Sequence, residues 1–341
     1  MRIITFGEIM LRLRPEGFER FFQSSRLEAT FGGGEANVAV SLANFGEDVA
    51  FITVLPDNPL GIACRDELRK YGVDTKEIIF SEGRLGIYFL ETGSNQRPSK
   101  VVYDRADSCM SRAQPGAFEW PRIFWNADWF HISGITPAIS ESAASLSLDA
   151  VKAARRAGVT VSIDLNYRKN LWKYTDSPKA IMSELAEYVD VVIANEEDIQ
   201  KSLGITCEAD VTKGKLDESQ YETLAKALTT RYPNVKAVAI TLRESKSANH
   251  NDWSACLYTG ENFYVSKKYE IRDIVDRVGG GDSFSAGLIY GFNHYPERSD
   301  ALEFAVAASC LKHTIGGDFN RVSVKEIEAL MGGDGSGRVQ R

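Results

Sequence analysis

Short apolar runs recur along the chain and alternate with longer stretches in which apolar positions return every three or four residues. The runs are Ile3–Phe6, Val49–Val54, Trp129–Ile132, Val159–Leu165, Val189–Ala194 and Ala237–Leu242. Several are continuously apolar, as strands covered on both faces should be. The segments with helical period are Glu35–Phe45, Gly61–Tyr71, Glu141–Ala157, Pro178–Tyr188, Glu218–Arg231, Gly281–Phe292 and Asp300–His313. Strand–helix alternation of this kind predicts an α/β fold with right-handed crossovers and a mainly parallel sheet.

Two regions break the rhythm. Residues 10–31 and 84–105 show no helical period, yet they hold Ile87–Glu91 (IYFLE) and Lys100–Arg105 (KVVYDR), which read as antiparallel strands. Together they predict a small β-structure, built from two inserts, lying over the main sheet. It is either a lid that keeps water from a reaction or an ordinary edge hairpin. The tail Gly332–Arg341 has too little apolar content to pack and is expected to be disordered, leaving residues 1–330 as the folded body.

Composition narrows the class without naming it. The 341 residues are 43% hydrophobic and 26% charged, ordinary for a globular protein. A formal net charge of −7 argues against a nucleic-acid-binding surface. The five cysteines, Cys64, Cys109, Cys207, Cys256 and Cys310, are scattered and form no C-x-x-C pair, which suits a reducing compartment. His131, His250, His294 and His313 lack metal-ligand spacing and read as surface or packed residues. Met1 leads straight into RIITFGEIM, with neither a signal peptide nor a membrane span, so a cytoplasmic protein is expected.

The chemistry concentrates where glycines meet helices. Asp276–Gly287 reads DRVGGGDSFSAG. Glycines before a helix let its free first-turn amides approach a ligand, and those donors with the helix dipole favour negative charge. Successive amides of Gly279, Gly280 and Gly281 could form an anion-binding concavity. Asp282 at the helix start is either a first-turn acid, a common structural role, or a base that takes a hydroxyl proton beside a phosphoryl group. A second cluster, Gly32–Gly33–Gly34–Glu35–Ala36–Asn37, opens an early helix, with Asn37 offering a donor and an acceptor to hydroxyls. The chain contains neither G-x-x-x-x-G-K-[ST] nor the dinucleotide fingerprint G-x-G-x-x-G.

Together the two clusters resemble the signatures of the ribokinase-like (PfkB) carbohydrate kinases: the first their G-G-x-x-x-N, the second their D-T-x-G-A-G-D, here Asp276–Asp282 with Arg277 and Gly280 in place of threonine and alanine. The resemblance spans roughly residues 1–330. It implies a central sheet with helices on both faces, a β-sheet lid, and ATP with Mg²⁺ phosphorylating a primary alcohol. Asp282 then matches the catalytic base and Gly279–Gly281 the anion hole. Asp276 matches an acid near a monovalent-cation (K⁺) site. Asp198, in Asn195–Glu196–Glu197–Asp198, matches a magnesium-organising carboxylate, or is simply part of a solvated helix start.

Among these enzymes the chain is most similar to 2-keto-3-deoxygluconate kinases, through GEIMLRLRP (Gly7–Pro15), Tyr103–Asp104–Arg105 and Asp164–Leu165–Asn166–Tyr167–Arg168. This implies Gly33, Gly34, Asn37, Tyr88, Tyr103, Arg105, Arg168 and Asp318 at the sugar. Asn166, Arg168, Asn195, Thr241, Arg243, Gly279 and Gly281 are implied at the nucleotide. Tyr103 and Arg105, two apart on a strand, should face one ligand together. Two arginines suit a sugar acid, because a guanidinium grips a carboxylate through two hydrogen bonds; Arg105 as a mere surface charge is the plainer reading. Instead of the family's glycine-bearing T-x-G-x-x-G, the chain has Thr241–Lys246 followed by a polar stretch, SANHND, read as a loop. Competing readings are another sugar kinase, such as a fructokinase, and a sugar- or nucleotide-binding regulator that has lost catalysis. Free lid edges suggest pairing in a homodimer.

Overall fold

The computed structural model describes residues 1–206 and 218–335. Six parallel strands, in the spatial order Asp48–Ile52, Arg2–Phe6, Trp129–Ser133, Thr160–Asp164, Val191–Ala194 and Ala237–Ser247, form the body of a nine-stranded sheet. His250–Tyr258 adds on antiparallel and carries Phe263–Val265 and Tyr269–Ile271. The parallel strands are mostly apolar where both faces are covered. Ile4, Phe6, Ile132, Ile163 and Val192 pack on one side with Leu146, Leu185 and Leu224 of helices Glu141–Arg156, Pro178–Ala186 and Glu218–Arg231. Ile3, Phe51, Val191 and Ile193 pack on the other with Val38, Phe284 and Phe304 of helices Gly34–Asn44, Gly280–His294 and Arg298–Lys312. Each such side chain contributes roughly 1.5–3 kcal/mol by leaving water.

The two inserts form a separate four-stranded sheet, ordered Glu28–Gly32, Met10–Arg14, Ile87–Glu91, Lys100–Asp104. The α/β class, the mainly parallel sheet with helices on both faces and the separate β-lid all hold. In the lid Arg12 lies opposite Tyr88 in a parallel pair, so both side chains leave the same face.

Several elements differ from expectation. Val49–Val54 divides into Asp48–Ile52 and Val54–Pro56, the latter pairing with Ile79–Ser81 in a small sheet of its own. The stretch SANHND is mostly strand: the chain runs straight to Ser247, turns, and returns from His250. Its polar side chains had masked a backbone ladder that depends on the neighbouring strand. Helix Val324–Met331, opened by a Ser323–Glu326 capping box, was not among the expected helices, although Val324, Ile327, Leu330 and Met331 recur at helical spacing and pack on the core. Of the expected disordered tail, Gly332–Gly335 close off this helix; residues 336–341 and Cys207 lie outside the described residues. No helix among the described residues is long and apolar enough to cross a membrane.

Candidate active site

A cavity of about 590 Å³ opens between the carboxyl ends of the parallel strands and the lid. That is the usual ligand edge of an open α/β sheet, and the size suits a small ligand. Every residue expected at the site lines it except Gly280 and Asp276.

Asp282 stands in the first turn of Gly280–His294, preceded by Gly279 in the left-handed conformation (φ 82°). A Cβ on Gly279 would also lie 2.1 Å from the Asp318 carbonyl oxygen, so glycine is required twice over. The Gly280 amide is turned inward to the Arg277 carbonyl at 3.4 Å, which takes it out of the expected anion hole. The amides of Gly281 and Asp282 are first-turn donors with no intrahelical acceptor. Burial pushes the Asp282 carboxyl up to about 6; Asp318 adds to the shift, while Asn37, Arg168 and Lys312 oppose it.

Asn37 donates from Nδ2 to Asp282 Oδ2 at 2.6 Å and accepts the Gly33 amide at 3.2 Å. One N–H of its carboxamide thus aims Asp282, and the second N–H and a lone pair of Oδ1 are not used by these two bonds. Gly33 itself sits where a Cβ would strike the Glu8 carbonyl oxygen at 2.1 Å. Glu35, next to this turn, is buried and accepts the Ser133 amide at 2.9 Å and the Thr136 hydroxyl at 2.6 Å. Burial raises it to about 7.

At the far end of the cavity carboxylates and free guanidiniums face one another. Asp164 ends its strand, and Asn166 follows with φ 34°, which asparagine tolerates. Asn195 and Asp198 form a capping box, and Asp198 also accepts the Tyr167 amide at 3.1 Å. Burial raises Asp198 to about 6 and Asp164 well above the usual carboxylate range, the latter reinforced by Asp198 and Asp282. Neither the Arg168 nor the Arg243 guanidinium has a hydrogen-bond partner among the described residues, although both line the cavity with Thr241. A divalent cation would relieve the repulsion among these acids. Hard carboxylate oxygens beside a site for phosphates are the donor set that Mg²⁺ takes, with water completing its shell.

The lid end is a network of ion pairs. Arg105 donates from Nε to Glu8 Oε2 at 2.8 Å, and the Ser108 hydroxyl holds the other Glu8 oxygen. The strand stops at Asp104, so Arg105 turns into the protein while Tyr103 stays exposed. The guanidinium carbon still lies 5.6 Å from the Tyr103 ring centre. Asp318 accepts the Tyr88 hydroxyl (2.6 and 2.7 Å) and Arg12 Nη1 at 2.6 Å. Arg12 Nη2 reaches Asp276 at 2.5 Å. Asp276 lies behind the glycine loop with its carboxylate held by Arg12, away from the cavity.

Glu8, Glu35, Trp253 and Arg277 also line the cavity and were not expected there. Glu8 and Arg12 stand inside GEIMLRLRP, where nothing local distinguishes a site acid from a surface acid. Arg277 ties the glycine loop to the Ser247–Ala248 turn, donating to the Ala248 carbonyl at 2.7 Å.

The chain is similar to known proteins over nearly its full length. It is 34% identical to a 2-dehydro-3-deoxygalactonokinase of Haloferax volcanii, covering 97% of each chain. It is 26% identical to a 2-dehydro-3-deoxygluconokinase of Bacillus subtilis, covering 95% of this chain and 93% of that one. The crystal structure of 2-dehydro-3-deoxygluconokinase from Thermotoga maritima superimposes with a TM-score of 0.93 at 50% identity, covering 98% of this chain and all of the other. The family model described as pfkB family carbohydrate kinase matches residues 2–320. A buried carboxylate at a glycine-opened helix, a lid above it and this match agree: the chain belongs to the pfkB family of carbohydrate kinases.

Proposed function

We propose that this kinase transfers the γ-phosphoryl group of ATP to the terminal primary hydroxyl of 2-keto-3-deoxy-D-gluconate, giving the 6-phosphate and ADP. The observation that carries the reading is the placement of Asp282 and the first-turn amides in one cavity with Arg105 and Arg168. The cations suit a sugar acid, and the names of the Bacillus subtilis and Thermotoga maritima relatives point the same way.

In this scheme Asp282 accepts the proton of the attacking hydroxyl, whose oxygen bonds to the γ-phosphorus as the bond to ADP breaks. Asn37 keeps the carboxylate aimed. The amides of Gly281 and Asp282 meet the charge of the moving group, with Arg168 and Arg243 beside it. Mg²⁺ bound through Asp164, Glu197 or Asp198 would supply charge neutralisation on the phosphates. Tyr103 and Arg105 orient the sugar acid from the lid.

A coupled ADP-release screen over keto-deoxy sugar acids, fructose, ribose and nucleosides tests the reading. The highest kcat/KM is expected for 2-keto-3-deoxygluconate; preference for a neutral sugar would overturn it, and no ADP release with any acceptor would favour a binding regulator. The Haloferax volcanii relative's name favours including the C4 epimer, 2-keto-3-deoxygalactonate, and the ratio of the two rates decides between them.

A further inference from the structure

The resemblance to ribokinase-like kinases implied a monovalent cation beside Asp276, and the residues around that carboxylate do not fit one. Asp276 Oδ2 accepts from Arg12 Nη2 at 2.5 Å and from the Gly317 amide at 3.1 Å. Its Oδ1 accepts the Val278 amide at 3.1 Å. A carboxylate that already faces a guanidinium and two amides is neutralised, and Arg12 would repel a further cation arriving there.

A second positive charge is instead attached covalently. Lys312, the last residue of helix Arg298–Lys312, is 0% exposed, which is rare for lysine. Its Nζ donates to the Ile315 carbonyl at 3.2 Å, in the loop that leads to Gly317 and Asp318. The side chain runs beneath the glycine loop: a Cβ on Gly279 would lie 3.3 Å from Lys312 Cε. Burial lowers the proton affinity of the ammonium, and Arg12 acts in the same sense, while Asp276, Asp318 and Asp282 raise it. The end of a helix, where carbonyls point outward, also favours a cation.

We propose that the Lys312 ammonium, together with Arg12, is the built-in positive charge behind the anion-binding loop, so that turnover needs no added monovalent cation. Lys312 does not touch the reacting atoms; it is a positioning residue that holds the Gly279–Gly281 turn and the 315–318 loop in register and adds a favourable field behind the amides. The inference rests on phosphoryl transfer at this site, not on which sugar is used. The test therefore uses whichever acceptor the screen finds most active.

The full chain is assayed with its magnesium–nucleotide substrate in potassium, sodium or tetramethylammonium chloride at equal ionic strength. The native enzyme should keep kcat within about twofold across the three salts, whereas Lys312→Ala should lose about tenfold or more in kcat with little change in the sugar KM. Potassium or methylammonium should restore part of that loss by occupying the vacated space, an effect that a purely structural lysine would not produce. Activation of the native enzyme by potassium of more than about tenfold over tetramethylammonium would overturn the proposal. So would a folded Lys312→Ala that keeps full turnover in every salt, or one whose loss no small cation restores. If that variant does not fold, the native enzyme's response to the three salts decides the matter alone.

Discussion

In the proposed mechanism a single carboxylate, Asp282, acts as the base, and its surroundings set how it titrates. Replacing Asp282 with asparagine keeps the shape and removes the base. kcat should fall by at least about a hundredfold with binding nearly intact, as measured by steady-state kinetics and nucleotide titration. The base works only when ionised, and burial raises it to about 6. In the native enzyme kcat/KM should therefore drop as pH falls through that value, and the residual activity of Asp282→Asn should lack this limb. Asp198, at about 6, and Glu35, at about 7, titrate nearby, so the apparent midpoint belongs to the group of acids. Asp282 was legible because it follows three glycines at a helix start. Glu8 was not: its importance comes from Arg105 and Ser108, both about a hundred residues away in sequence.

Among the elements, the glycine turn and the lid strand make separate contributions. Gly279→Ala would force a methyl group against the Asp318 carbonyl at a positive φ. The loop must shift or strain, and a loss of about 1–3 kcal/mol in stability is expected, read by urea unfolding. A variant as stable as the native chain would show that the loop yields freely. Arg105→Ala should act differently, leaving Glu8 in the cavity with Ser108 as its one side-chain partner among the described residues. A sugar acid would then meet a net negative wall, and its kcat/KM should fall about 30-fold or more, equivalent to about 2 kcal/mol. A neutral sugar tested beside it should lose far less. The strand–helix alternation was readable along the chain because each period reports a local backbone geometry. The hairpin at Ser247–His250 was not, because its polar side chains pair through backbone groups with a strand that local periodicity does not record.

For the whole molecule, buried acids cost stability as pH rises. Glu35 is held at about 7 against an ordinary 4.5, so its contribution is fully present below 4.5 and is lost as pH rises through 7. The full loss is about 3 kcal/mol at 1.36 kcal/mol per unit. Urea unfolding at pH 5 and pH 8 should show the native chain losing about 2.5 kcal/mol more than Glu35→Gln, since part of the loss precedes pH 5; equal losses would remove Glu35 as the cause. The lid edge Lys100–Asp104 is exposed along its whole length, including Val101 and Val102. We infer that it pairs with a second copy. Val102→Lys should then shift the protein toward monomer in sedimentation velocity, and an unchanged profile would place any interface elsewhere.

The sequence by itself determined the class of fold, the two glycine-opened helices and the acid at the second, because each depends on neighbours within one or two turns of chain. Tertiary structure alone decided which groups are neutralised and which remain free. Arg12 closes on Asp276 and Asp318, Glu8 holds Arg105, and Lys312 is buried beneath the glycine loop, while Arg168 and Arg243 keep guanidiniums with no partner among the described residues. Charges separated by up to about three hundred residues interact only after folding brings them together, and the energy of each pair depends on burial that no local pattern encodes.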